Sequence, residues 1–285
     1  MTSTSCFFAS DLHGRNDRYQ KLFAAIEEER PEAVFLGGDL LPHQWASMLA
    51  SEDFIVDVLE LGFRRLRDRL GNDTPAIFII LGNDDDGTSE RAFLDGDRAG
   101  LWIYVHERWV FLNSHPVLGY AYVPPTPFLL KDWERYDVSR FTDPGCVSPE
   151  KGQRTVVVDP DEIRFGTIAA DLERLAGDRD LEDAVLLFHS PPYQTALDRA
   201  GLDGQSVDHV PLDVHVGSIA IQRLIEERQP LLTLHGHIHE APRLTGAWRE
   251  QIGRTHCFTA AHDGPELALV RFDLDDLDAA TRELL

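Results

Sequence analysis

Short apolar runs alternate with amphipathic stretches along this 285-residue chain, and five of the runs stop at a residue able to hold a metal ion. Cys6 to Ala9 stops at Asp11, and Tyr19, Leu22, Phe23 and Ile26 then recur at helical spacing through Arg30. Ala33 to Leu36 ends at Asp39 and is followed by a helical stretch from about Trp45 to Leu70, with Gly71 at its C-terminus. Ala76 to Leu81 ends at Asn83, and Ala184 to Phe188 ends at His189. A helix from about Gly217 to Arg228 leads to Leu231 to Leu234, which ends at His237. This alternation argues for βαβ units and a mainly parallel sheet. In such a sheet the carboxyl ends of the strands open on one edge, where loops gather polar groups that are distant in sequence.

Elsewhere the pattern changes. Leu101 to Val123 consists of short β-branched and aromatic segments broken by turn residues, which predicts an antiparallel meander and a second sheet face. Pro124 to Gln153 is rich in Pro, Asp and aromatic residues without periodicity, the signature of a functional lid or of a plain surface loop. Asp159, Pro160 and Glu162 read as the start of a helix ending near Gly177, and Glu266 to Leu274 as a closing strand. No internal repeat or composition break divides the chain. The expectation is one domain over 1–285, with a lid or insertion at about 124–153.

Composition narrows the function. A formal net charge of -22 leaves no basic footprint for nucleic acid and suits a small phosphorylated substrate better. Cys6, Cys146 and Cys257 are too few and too scattered for a disulfide framework or a cysteine zinc site. Met1 to Ser5 lacks a basic n-region, and no apolar run has membrane-spanning length, so a cytoplasmic location without a membrane partner is expected.

The run ends carry the chemistry. Asp11 and His13 are two apart on a loop; Asp39 follows Gly37-Gly38, Asn83 follows Gly82, and His237 and His239 follow Gly236. Glycine there lets the chain bend sharply and lets a metal approach closely. Imidazole nitrogen with carboxylate oxygen suits Mn, Fe, Zn or Ni rather than Ca or Mg alone. Two cations about 3.5 to 4 Å apart need a shared carboxylate, and Asp39 is the natural bridge. Each residue alone is weak evidence, because a lone Asp at a strand end is usually a cap; their ordered recurrence is what points to a centre.

Asp-x-His, Gly-Gly-Asp, Gly-Asn, Phe-His-Ser-Pro-Pro and Gly-His-Ile-His follow one another from Asp11 to His239, and in this the chain resembles the calcineurin-like metallophosphoesterases. Ser190-Pro191-Pro192-Tyr193 and His215-Val216-Gly217-Ser218 further resemble the Icc-related predicted phosphoesterases. The resemblance implies an α/β fold, a four-layer αββα sandwich of two mixed sheets. It also implies two divalent metal ions, with Asp11, His13 and His239 on one, Asn83, His189 and His237 on the other, and Asp39 between them. The implied activity is phosphoester hydrolysis by attack of metal-bound hydroxide, and the expected substrate is a small phosphodiester, nucleotide-type diesters among them. The alternatives are a phosphomonoesterase, a nucleotide pyrophosphatase, or a weakly active binding member of the fold.

One position departs from the family. The usual Gly-Asn-His-Asp reads Gly82-Asn83-Asp84-Asp85 here. Beside two cations Asp84 is expected to stay ionised, a poor proton donor that trims the positive charge facing substrate. The rival reading makes Asp84 a loop cap and assigns the proton to His215 or water. His215 is the second candidate for the chemistry. Trp133 and Tyr136 could stack on a nucleobase, although loop aromatics more often pack back onto the body.

Overall fold

The computed structural model describes residues 4–43 and 53–285. Strands β1 (Ser5–Ala9), β2 (Ala33–Gly37) and β3 (Ala76–Ile80) lie side by side in parallel, joined at the edge by the short β4 (Ile103–Tyr104). Their unbroken apolar sequences follow from burial of both faces. Phe7, Ala9, Val34, Leu36, Ile77 and Ile79 point to one side, and Cys6, Phe8, Ala33, Phe35, Phe78 and Ile80 to the other. The first set packs under helices α1 (Asn16–Glu29) and α2 (Leu61–Leu70), and the second set fills the space between two sheets.

The second sheet starts with the hairpin β5 (Trp109–Leu112) and β6 (His115–Tyr120), which turns where Asn113 adopts a left-handed φ of 53°. β7 (Val185–Phe188) runs parallel to β6. After a small hairpin of two-residue strands, β8 (Ser206–Val207) and β9 (Val210–Pro211), the sheet continues through β10 (Leu232–His235), β11 (Arg249–Ile252) and β12 (Thr255–Thr259). Its order is β11-β12-β10-β7-β6-β5, with antiparallel strands only at its edges. β13 (Ala268–Asp273) and β14 (Asp276–Leu284) return to the first sheet and pair antiparallel beside β1. Helices over 168–176 and 219–228 cover the outer face of the second sheet through Leu172, Leu175, Ile221 and Ile225. The architecture is the four-layer αββα sandwich of two mixed six-stranded sheets. No described helix is long and apolar enough to cross a membrane.

Several expectations need correction. The stretch 101–123 is not one meander: β4 joins the first sheet in parallel, and only the β5–β6 hairpin is antiparallel. The helix expected to run to Gly177 breaks at Gly166, because Thr167 caps a second helix by accepting the Ala170 N–H at 3.1 Å. The first part of the helix expected from Trp45 falls on residues 44–52, outside the described residues; a π-helical turn, Ile55–Glu60, then leads into α2. β14, not Glu266 to Leu274, is the last strand, and its polar sequence suits an edge position.

Candidate metal centre

Asp11 and His13 follow β1, Asp39 follows β2 and Asn83 follows β3, while His189 follows β7 and His237 and His239 follow β10. All leave parallel strands at their carboxyl ends, and the two rims are sewn together. Asp11 N–H donates to Gly38 O at 2.9 Å, His13 N–H to Asp39 O at 2.8 Å, and Gly236 N–H to His189 O at 2.9 Å. His189 Nδ1 lies 2.7 Å from Gly37 O and so ties the second sheet to the first. The chain bends hard to do this. Asp11, His13, Asp39 and His237 adopt left-handed φ values of 57°, 47°, 52° and 73°. Such backbone costs energy in ordinary residues and collects where the surrounding structure imposes it.

The glycines serve a different purpose from the one read in the sequence. Gly38 does have a positive φ, of 93°, but Gly82 and Gly236 do not. A Cβ on Gly82 would meet Asp39 Oδ1 at 2.3 Å, and one on Gly236 would meet Asp11 Oδ2 at 2.8 Å. These two glycines clear room for neighbouring carboxylates.

Six of the seven side chains form two convergent groups that share Asp39, Asn83 lies against His189, and a further group joins His13 to His43 and Asp84. In one, ligand atoms of Asp11, His13, Asp39 and His239 all lie within 4.8 Å of one another, and in the other those of Asp39, His189 and His237 do. His13 Nε2 is 3.1 Å from His239 Nε2, and His239 Nε2 is 3.3 Å from Asp11 Oδ1. His189 Nε2 lies 3.3 Å from Asp39 Oδ2 and 3.1 Å from Asn83 Oδ1. Asp39 belongs to both groups, and the Asp84 N–H holds its other oxygen at 2.8 Å.

Without a cation the charges balance against one another. Burial opposes a charge on His189, yet the Asp39 carboxylate wins and lifts the imidazole to about 10. Burial likewise opposes His239, but its hydrogen bond to Asp11 lifts it to about 9. Burial would raise Asp11, yet His239 holds it down at about 2; Asp39 lies far below the usual carboxylate range, because His189 outweighs its burial. His237, dominated by burial and then by the charge of His189, drops to about 3. Among the described residues Asp11 and Asp39 pair only with histidines, with no Lys or Arg ion pair. Two ring nitrogens in contact, with carboxylates beside them and no Lys or Arg, fit divalent metal ions that would displace the imidazole protons, and His189, its Nδ1 held by Gly37 O, would then turn Nε2 to a metal.

The run Asn83-Asp84-Asp85-Asp86 gives four neighbours four tasks. Asn83 offers its amide oxygen to the centre. The fully buried Asp85 accepts the backbone N–H groups of Leu40, Leu41 and Gly82, so it is Asp85 that shapes the loop bearing Asp39. Asp86 caps the next turn through Ser89 N–H. Asp84 sits beside two imidazoles, with Oδ2 3.7 Å from His13 Nδ1 and 3.5 Å from His43 Nδ1. In this ion-free state burial and then the Asp39 carboxylate push Asp84 up to about 6; the lowered value expected from the sequence belongs to a cation-loaded centre. His215 belongs to neither convergent group. Its Nδ1 lies 2.7 Å from Asp198, a buried carboxylate that also accepts backbone N–H groups of Gln194, Thr195 and Gly217. Trp133 and Tyr136 are buried, Trp133 against His106 and Tyr122, and so are not free to stack on a base. His43 was missed; its only signal is a histidine four residues beyond Asp39 on the same loop.

The profile of the family described as calcineurin-like phosphoesterase matches residues 6–241. No curated protein matches the chain in sequence. Among solved structures, one crystal structure is similar at a TM-score of 0.61 with 15% identity over 99% of each chain. The protein TT1561 of Thermus thermophilus is similar at 0.57 with 17% identity over 99% of each chain. The phosphopantetheinyl hydrolase PptH from Mycobacterium tuberculosis is similar at 0.52 with 11% identity, over 90% of this chain and 89% of that one. At such identities the structural likeness is one of fold, whereas the family match spans most of the sequence: the chain belongs to the calcineurin-like phosphoesterase family.

Proposed function

We propose that this chain is a dinuclear metal-dependent hydrolase of a small phosphodiester. The observation that carries the reading is Asp39, whose carboxylate stands in both convergent groups. Asp11, His13, His239 and Asp39 would hold one divalent cation, and Asp39, Asn83, His189 and His237 the other; Mn, Fe, Zn or Ni suits this mixture of nitrogen and oxygen. When bound, such a pair neutralises charge at phosphoryl oxygens and makes a water acidic enough to serve as nucleophile at neutral pH.

The chain's own groups prepare that chemistry. Gly37 O orients the His189 ring, and the Ser10 hydroxyl and the His237 N–H hold the Asp11 carboxylate. The Asp84 N–H occupies one oxygen of Asp39 and leaves Oδ2 toward His189. Preference for a diester rests on charge: an anionic Asp84 beside the centre cancels part of the positive charge that a dianionic monoester would need. The acidic chain as a whole weighs against nucleic acid.

Metal analysis of the purified protein, followed by Mn-stimulated turnover of bis(p-nitrophenyl) phosphate and p-nitrophenyl phosphate, tests this reading. Wild type should retain metal and prefer the diester, and Asp84→Asn should shift preference toward the monoester by about tenfold. An unshifted preference would sink the charge argument and favour a monoesterase or pyrophosphatase. A metal-replete protein with no turnover of either ester would favour a binding member of the fold.

A further inference from the structure

The loop that leaves Asp39 is held along its length. Asp85 takes the Leu40 and Leu41 N–H groups at 3.0 and 2.8 Å, and Leu40 O accepts from Gly14 N–H and from the Tyr19 hydroxyl, both at 2.9 Å. Pro42 lies so close to Gly14 that a Cβ there would meet its Cγ at 2.3 Å. His43 is the next residue, and its place is therefore set by the loop that sets Asp39. Its ring stacks on His13, with centroids 5.1 Å apart and planes 25° apart, and its Nδ1 is 3.5 Å from Asp84 Oδ2. The side chain is 63% exposed, whereas that of His13 beneath it is 13% exposed.

We infer that His43 contacts the substrate at the mouth of the metal centre, and that Asp84 is its positioning residue. This inference rests on the phosphodiesterase reading and adds to it the source of the imidazole that the Gly-Asn-Asp-Asp sequence lacks. Nδ1 turned to the Asp84 carboxylate leaves Nε2 for a phosphodiester oxygen. Stacking on His13 places the ring outside the two groups that share Asp39, in the group it forms with His13 and Asp84, and its exposure leaves it open to a ligand. Asp84 thus has two imidazole neighbours: the half-buried His13 ring, which helps build the centre, and the exposed His43 ring, which meets what enters it.

The test uses the full-length, Mn-loaded protein with dimethyl phosphate as a non-hydrolysed diester probe and bis(p-nitrophenyl) phosphate as substrate. His43→Ala should keep the metal content of wild type yet bind dimethyl phosphate about tenfold to a hundredfold more weakly, with a matching loss of kcat/KM for the diester. Asp84→Asn should lower diester kcat/KM as well, and His43→Ala added to it should cost little more, since the carboxylate acts through the ring. Nitrogen NMR of the metal-free protein gives a readout independent of turnover: His43 should be the Nδ1–H tautomer in wild type and lose that bias in Asp84→Asn. Unchanged probe binding and turnover in His43→Ala would overturn the inference. Loss of a metal equivalent in His43→Ala would make the residue a ligand and overturn it equally. Multiplying losses in the double variant, or an unchanged tautomer in Asp84→Asn, would remove Asp84 from the role. Failure of the wild type to bind metal or turn over the diester would instead count against the function proposed above.

Discussion

Two regions of this protein bury charge, and they do so in opposite ways. Under the segment that starts at Pro124, the buried carboxylates Glu134 and Asp171 each meet a cation of the same chain. Lys131 pairs with Glu134, both with fully buried side chains, and Arg135 bridges Asp171 at 2.7 Å and Glu162 at 2.6 Å while lying 4.2 Å from the centre of the Tyr122 ring. At the metal centre carboxylates and imidazoles face one another with no Lys or Arg paired to Asp11 or Asp39 among the described residues. The first region is closed by lysine and arginine, whereas the second sets its carboxylates against imidazoles alone. The same residue type registers the difference. His106, beneath the segment, is pushed down to about 3 by burial and then by the charges of Arg135 and Arg174, whereas His189 beside Asp39 is lifted to about 10.

The largest effect should come from removing the shared carboxylate. Asp39→Asn is expected to strip bound metal and to cut diester turnover by about a thousandfold or more, while circular dichroism stays native. Full metal content in that variant would break the contrast between the regions. The closed region should respond in stability instead. Lys131→Met leaves Glu134 buried without its cation and should cost about 3 to 5 kcal/mol by denaturant unfolding, with metal content unchanged. A Lys131→Met/Glu134→Leu pair should recover most of that loss, and a double variant as unstable as the single one would show that packing rather than charge holds the segment. The smallest effect concerns pH. His106 stays neutral when folded and accepts the Ala121 N–H at 3.1 Å, so the unfolded chain binds its proton first, near pH 6.5. Its contribution is complete above about pH 6.5 and is lost as pH falls toward 3, at no more than about 1.4 kcal/mol per pH unit. Unfolding midpoints at pH 7 and pH 5 should therefore separate more in wild type than in His106→Gln; equal separations would count against a neutral buried ring.

Much of this was legible in the sequence because period and position coincide. The doubly buried strands read as plain apolar runs, and of the seven side chains at their ends six converge while Asn83 lies against His189. What escaped depends on context that a linear pattern does not carry. β14 is a polar edge strand, which alternation of apolar residues does not reveal. The division of labour among Asp84, Asp85 and Asp86 follows from what surrounds each, imidazoles for Asp84, N–H groups of the loop after β2 for Asp85 and the Ser89 N–H of its own turn for Asp86, and three identical letters cannot be told apart without those surroundings. His43 gains its meaning only from a ring stacked on it from β1's loop, thirty residues earlier. Trp133 and Tyr136 sit in an aperiodic stretch and are buried all the same, since isolated backbone bridges together with ion pairs tie that stretch down.

The left-handed backbone at Asp11, His13, Asp39 and His237 has a bearing on redesign. Only a short alphabet sits comfortably there: glycine, which brings no ligand, and Asn, Asp and His, which do. β-Branched side chains grafted onto these corners would collide with the peptide chain whatever the intended ligand. The three remaining positions, Asn83, His189 and His239, are where such exchange is open.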